Sequence, residues 1–271
     1  MNKKNWGQNK EDVNKLVDRL TLFDDDLMSR VFDQNVEATE LVLRIILGRN
    51  IKVIYAEGQD EMKNHAVGGR NVTLDVHALD ENGEEIDIEV QGNSEGAHIR
   101  RARYHSSMVD AGMLREGQQF KQLKDSYVIF IYKYDKFKKG LPLYHVDRYV
   151  RETKELFEDG SHIIYVNGNY KGKDEIGQLI SDFHQADPEK IHYDALAQGV
   201  KHFKETEGGR EQMCEAVEEY AKEYAKEYAT KEKTVFVKNL MENMKLTLEQ
   251  ALNALGIQGD ERTFITKQLQ K

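Results

Sequence analysis

Asp75, Glu89 and Gln91 are the residues whose types and spacing suggest chemistry in this sequence. They lie in the stretch Val72 to Gln91. Two alternating runs, Val72 to Leu79 and Glu84 to Gln91, flank Asp80-Glu81-Asn82-Gly83. The Asn-Gly pair between such runs is a β-hairpin signal. A two-residue Asn82-Gly83 turn would set Asp75 opposite Val90, with Asp75 and Glu89 on opposite faces. A three-residue loop, Glu81-Asn82-Gly83, with Gly83 left-handed as a type I turn plus bulge, pairs Asp80 with Glu84, His77 with Asp87 and Asp75 with Glu89. In that register Asp75, His77, Glu85, Asp87, Glu89 and Gln91 share one face. Leu74, Val76, Ala78, Ile86, Ile88 and Val90 share the other, with Leu79 the exception. A slip of one residue would mix the faces, so the bulged register is preferred.

Carboxylates directly across a strand pair repel each other. A divalent cation, Mg²⁺ or Mn²⁺, is the simplest compensator for clustered oxygen ligands. The alternative is a polar sheet face whose charges fan into water, and the pattern alone does not choose between the two. His98 and His105, seven apart on one predicted helix, share a face but lack a third ligand, so zinc is not expected. No GxxxxGK[ST] phosphate loop is present, which removes support for nucleotide hydrolysis.

The elements that must position these residues follow from periodicity. Polar residues 1–20 predict a frayed or loosely helical start. Helices are expected from Phe23-Asp24-Asp25-Asp26 through Phe32 and from Val36 to Leu47, stopped by Gly48. Ile51 to Tyr55 reads as a short strand and Gly58 to Arg70 as a loop into the hairpin. A helix from about Ala97 to Arg115 carries Arg100, Arg101, Arg103 and Tyr104. The apolar run Tyr127 to Tyr132 predicts a buried central strand. Leu143 to Val146 and Ile163 to Val166 are shorter strands, with a helical piece between them at Tyr149 to Phe157. From Asp174 only helices are expected. One long helix, about Gly209 to Met244, holds a Tyr-Ala-Lys-Glu repeat with tyrosines at 220, 224 and 228, a packing or pairing stripe. Thr247-x-x-Gln250 then has the capping-box pattern of a short helix, and Glu261 to Leu269 forms another.

Composition narrows the class. The chain has 271 residues, 39% hydrophobic and 32% charged, with formal net charge −9. An acidic chain of this kind is not a nonspecific polyanion binder, yet Gly92 to Val150 holds eleven Lys/Arg against six Asp/Glu. Such a local excess suits a nucleic-acid contact as well as an ordinary helix surface. The lone Cys214 allows no intrachain disulfide. No apolar run reaches membrane-spanning length, and Met1 to Trp6 lacks a signal-peptide core, so the expected location is cytoplasmic.

Asp75, then thirteen residues, then Glu89-Val90-Gln91 resembles the PD-(D/E)XK nuclease signature in its Glu-x-Gln form. Phe23 to Phe32, with Asp25, Met28 and Phe32, resembles the first helix of the same group. Arg101-Ala102-Arg103-Tyr104, Gly117-x-x-Phe120 and Tyr127 to Tyr132 follow in matching order, and Asn243 to Ala251 is similar to its tail. Over residues 20–271 the chain resembles the PD-(D/E)XK nuclease family transposases, which include the recombination-promoting nuclease (Rpn) proteins. Two departures stand out. Leu74 replaces the proline before Asp75, and Gln91 replaces the lysine of many members. Glutamine can hydrogen-bond a water but cannot titrate.

The resemblance implies a restriction-endonuclease-like α/β fold: a mixed β-sheet core flanked by helices over 21–172, after a flexible segment 1–20. An all-helical C-terminal region, 173–271, follows, with its long helix and terminal hairpin. It implies a Mg²⁺-dependent DNA endonuclease, with Mn²⁺ as a substitute, in a mobile-element, recombination or defence setting. Asp75, Glu89 and the Val90 carbonyl would hold the metal, and Gln91 would position the attacking water. Asp25 would add an outer carboxylate unless it is only a helix cap. Arg101 and Arg103 would contact phosphates, with Arg100 an alternative in phase, and Tyr104 would be an accessory or a packing residue. The competing expectation is a catalytically weak relative acting as a DNA-binding or oligomerisation module through its C-terminal helices.

Overall fold

The computed structural model describes residues 3–64, 66, 68–93 and 96–269; side chains of residues 3–10, Glu223, Tyr224 and Glu227 lie outside that description. Three helices lead the chain: α1 (Lys3–Arg19), α2 (Asp25–Phe32) and α3 (Val36–Leu47). The start is helical rather than frayed, because Val13 and Val17, one turn apart, are both buried. Six strands follow: β1 (Val53–Met62), β2 (Val72–Asp80), β3 (Glu85–Gln91), β4 (Ser126–Tyr132), β5 (Leu143–Val146) and β6 (Ser161–Asn167). The sheet order is β1-β2-β3-β4-β6-β5. β1, β2 and β3 pair antiparallel; β3, β4 and β6 run parallel; β5 closes the far edge antiparallel to β6.

The parallel step from β3 to β4 needs a crossover. Helix α4 (Ile99–Met113) supplies it and packs back on the sheet, most heavily on β4. Its Ala102 joins Ala97, Val128, Phe130, Tyr132 and Tyr165 in one buried cluster. The continuous apolar run of β4 is explained by this burial: Val128 through Ile131 are fully covered. Elsewhere in the same unit, Phe183 of α5 (Glu175–Phe183) meets Phe23 edge-on at 5.6 Å and Phe32 at 6.4 Å. The sheet is thus covered on both faces, as its apolar centre requires.

Three sequence expectations change here. β1 continues to Met62, so Gly58–Met62 is strand and not loop, because it pairs with Val72 to Val76 of β2. Tyr149 to Phe157 is not helical; Tyr149 bridges Leu156 across a turn. The first compact unit runs to Cys214, past residue 172, since α5 contacts α3, and α6 (Asp194–Glu205) contacts α2 and α3.

The second unit, Glu215–Lys271, is helical. The long helix α7 (Glu207–Met244) is followed by α8 (Leu248–Ala254) and α9 (Gly259–Leu269). Val237, Ala251, Leu252, Ile257 and Ile265 form its buried centre. Thr247 and Gln250 make the reciprocal capping box expected from their spacing. Tyr220 and Tyr228 are exposed, while the Tyr224 side chain of the predicted stripe lies outside the described residues.

Candidate active site

The hairpin adopts the bulged register. Gly83 has φ +80°, and its N–H donates to the Asp80 carbonyl at 3.1 Å. Only glycine takes this conformation freely, so Gly83 sets the loop. His77 pairs with Asp87 and Val76 with Ile88. Beyond that last rung the ladder is replaced by side-chain bonds. The Val90 N–H donates to Asp75 Oδ2 at 2.9 Å, and the Asp75 N–H donates to Glu89 Oε1 at 3.2 Å. The strands therefore part where the carboxylates sit, and each carboxylate occupies a backbone position of the neighbouring strand.

The polar face is not solvated. Asp75, Asp87, Glu89 and Gln91 are all buried, Asp87 and Glu89 completely (0% exposed). The covering layer is α4, which brings Arg101 and His105 onto Asp87, Glu89 and Gln91. Arg101 Nη2 donates to Glu89 Oε2 at 2.5 Å, and Nη1 approaches Gln91 Oε1 at 3.4 Å. His105 Nδ1 lies 2.8 Å from Asp87 Oδ2 and 3.4 Å from Glu89 Oε1. Gln91 Nε2 reaches Asp75 Oδ2 at 3.4 Å and Glu89 Oε2 at 3.3 Å. Gly96 makes room for this amide: a Cβ there would fall 1.7 Å from Gln91 Oε1.

Asp25 approaches from the other layer. Asp24 is the residue at the N-cap of α2, so Asp25 is not the cap. Gln59, held at φ +56° within β1, donates to Asp25 Oδ1 at 3.3 Å. Asp25 is close enough to Asp75 for their charges to repel. Arg103 is exposed and does not reach the carboxylates. His98 sits at the N-cap of α4, where its side chain accepts from the Arg100 N–H. His77 bridges Asp60 Oδ2 at 2.7 Å and Glu85 Oε2 at 2.8 Å, and does not bond Asp75.

The electrostatics follow from burial. Desolvation, then repulsion from Glu89 and Asp25, raises the Asp75 carboxyl well above its usual range. Desolvation, then Asp87, pushes Glu89 up to about 8. Asp87 is raised by burial and by Asp75, and its Oδ1 is buried without a hydrogen-bond partner among the described residues. Burial lowers His105. Among the described residues, Glu89 alone of the buried carboxylates Asp75, Asp87 and Glu89 bonds a guanidinium, that of Arg101. A buried excess of anionic oxygens with one orphaned acceptor is a donor set that fits a hard divalent cation.

Beside Gln91 opens a cleft of about 810 Å³, lined by Arg70, Asn71, Asn93, Arg100, Arg101 and Tyr104 among others. Arg70 was not singled out in the sequence, since it lies in the β1–β2 connection with no periodic signal. Tyr104 ties that connection to α4: its hydroxyl donates to the Arg70 carbonyl at 2.6 Å and accepts from Asn64 Nδ2 at 2.9 Å.

A family model for PD-(D/E)XK nuclease family transposases matches residues 39–176, half of the chain. The match takes in Asp75, Glu89, Gln91, Arg101 and Tyr104 and leaves out Asp25. No curated protein and no solved structure matches the chain. The mixed sheet with flanking helices is the restriction-endonuclease-like arrangement. By fold, by the order of its motifs and by this match, the chain belongs to the PD-(D/E)XK nuclease family transposases.

Proposed function

We propose that the protein is a metal-dependent DNA endonuclease that hydrolyses phosphodiester bonds in the cleft beside Gln91. The observation that carries this reading is the convergence of Asp75 and Glu89 where the β2–β3 ladder ends, in a buried site with more negative charge than Arg101 offsets. Asp75, Glu89 and the Val90 carbonyl, beyond the last rung, would hold Mg²⁺ or Mn²⁺, with Asp25 an outer carboxylate. When bound, the cation supplies Lewis-acid polarisation of the scissile phosphate and a more acidic water.

The chain's own residues do the rest. Gln91, whose amide both donates and accepts, orients the water without taking its proton. Arg101 offers a planar fork to a phosphate oxygen. Arg70 and Arg100 line the cleft and bind the flanking backbone, while Arg103, on the exposed side of α4, serves at most a distal phosphate. The C-terminal helices support self-association or DNA affinity. Among the described residues no helix is long and apolar enough to cross a membrane. A cytoplasmic role in mobile-element, recombination or defence processes fits this reading.

The test is plasmid nicking by purified protein with Mg²⁺, with Mn²⁺ and with EDTA, and by Asp75→Ala and Glu89→Ala. Metal-dependent cleavage lost in both variants is expected. Cleavage that survives both substitutions would sink the assigned site. Absent cleavage with retained DNA binding would favour a binding module instead.

A further inference from the structure

Asp87 lies fully buried behind the groups assigned to the reaction, and His105, almost fully buried, forms part of the inner wall of the cleft. Their hydrogen bonds nevertheless have only one consistent direction. A guanidinium carries donors and no acceptor. Arg101 Nε, 3.1 Å from His105 Nε2, must therefore donate to it, and Nε2 must be unprotonated. The ring proton then sits on Nδ1 and donates to Asp87 Oδ2 at 2.8 Å. His105 is neutral and held in a single tautomer.

The same three groups, Asp87, Glu89 and His105, could be taken for a metal triad, since one ligand atom from each lies within 4.8 Å of the others. Both ring nitrogens of His105 are already engaged, however. A cation on either one would break the bond to Asp87 or the bond to Arg101. Meanwhile the far edge of Arg101 lies across Glu89 Oε2 and Gln91 Oε1. A chain of contacts thus runs from Asp87 through His105 to Arg101 and ends on the two residues nearest the chemistry.

We propose that His105 is a positioning residue: oriented by Asp87, it fixes the Arg101 guanidinium across Glu89 and Gln91, and it is not a metal ligand. The proposal rests on the endonuclease reading for its kinetic consequence but not for its geometry. Arg101 has many rotamers, and an acceptor on its Nε restricts it to the one that lies across Glu89 and Gln91.

The test uses the full chain with ¹⁵N-labelled histidine. In EDTA, the long-range ¹H–¹⁵N signals lost in His105→Gln should be those of a neutral Nδ1–H ring. His105→Asn keeps a donor for Asp87 but does not reach Arg101, whereas the longer His105→Gln places a carbonyl near the Nε2 position. His105→Asn should lower kcat for plasmid cleavage by about 100-fold, with KM and calorimetric Mn²⁺ affinity unchanged. His105→Gln should recover most of the loss. An Nε2–H ring, Mn²⁺ binding weakened in both variants, or cleavage by His105→Asn at the wild-type rate would each overturn the proposal. If wild-type protein does not cleave, the endonuclease reading fails, and the tautomer and Mn²⁺ affinity still decide the role of His105. If His105→Asn does not fold, the wild-type tautomer decides it.

Discussion

Asp75 and Glu89 face each other across a strand pair, and the Asp75 N–H donates to Glu89 Oε1 at 3.2 Å. Backbone amides therefore replace water around two buried carboxylates: the Asp75 side chain in turn accepts from Val90. Such bonds favour the ionised forms, yet burial wins, aided by repulsion from Glu89 at Asp75 and from Asp87 at Glu89, and both groups are raised. The site is built to be unsatisfied without added positive charge.

That balance predicts how stability depends on pH. Glu89 is raised in the folded chain from an ordinary value of 4.5 to about 8. A raised folded pKa means the folded state holds the proton more tightly. Its stabilising contribution is complete below about pH 4.5 and is lost as pH rises through about 8. In EDTA the Tm should fall across that window, Asp75→Asn should flatten the fall, and Mn²⁺ should restore more Tm at the alkaline end. A pH-independent Tm in EDTA would contradict the electrostatic account.

Gly96 offers a way to disturb Gln91 without touching it. In Gly96→Ala the new Cβ collides with the Gln91 amide, the far end of a flexible side chain. The amide can swing aside, so the Tm should change little. Displaced from its place, Gln91 should orient water poorly, and cleavage should fall by about 10-fold or more. Unimpaired cleavage by Gly96→Ala would argue that Gln91 does not position the nucleophile.

Arg70 should act on binding and not on chemistry. It lines the cleft beside Gln91, and the loop that carries it is pinned by Tyr104. Arg70→Ala should weaken DNA binding in EDTA to a similar degree for unrelated sequences. The slope of log K against log salt should shrink by about 0.7 to 0.9, the value for one lost phosphate contact. Fluorescence anisotropy over a salt series measures both, and an unchanged slope would remove Arg70 from the DNA path.

The C-terminal unit can be tested separately. Arg210 bonds Asn14 and the Lys204 carbonyl, so a cut at residue 210 would damage the first unit. Truncation after Cys214 spares those bonds. It should leave the first unit folded by circular dichroism while weakening self-association in sedimentation or DNA affinity in anisotropy. If both properties persist in the truncated chain, the helical tail has neither role.

Much of this was legible from local pattern. Alternation in Val72 to Gln91, with Gly83 after Asn82, specifies the register that brings Asp75 to Glu89, because strand faces repeat every two residues and a bulge shifts them by one. The unbroken apolar run of β4 specifies a strand covered on both faces. Helical spacing puts Arg101 and His105 on one side of α4.

Other features required the tertiary structure. No local signal says that α4 covers the polar face, which turns an apparently solvated row of carboxylates into a buried, strongly perturbed one. The approach of Asp25 from α2, the length of β1 and the placement of Arg70 likewise depend on contacts distant in sequence. The same holds for His105, which looks like a possible ligand in the sequence and becomes a committed hydrogen-bond partner in the fold. Periodicity determines which side chains share a face; only packing determines what lies against that face, and desolvation by that neighbour decides the charge its groups can carry.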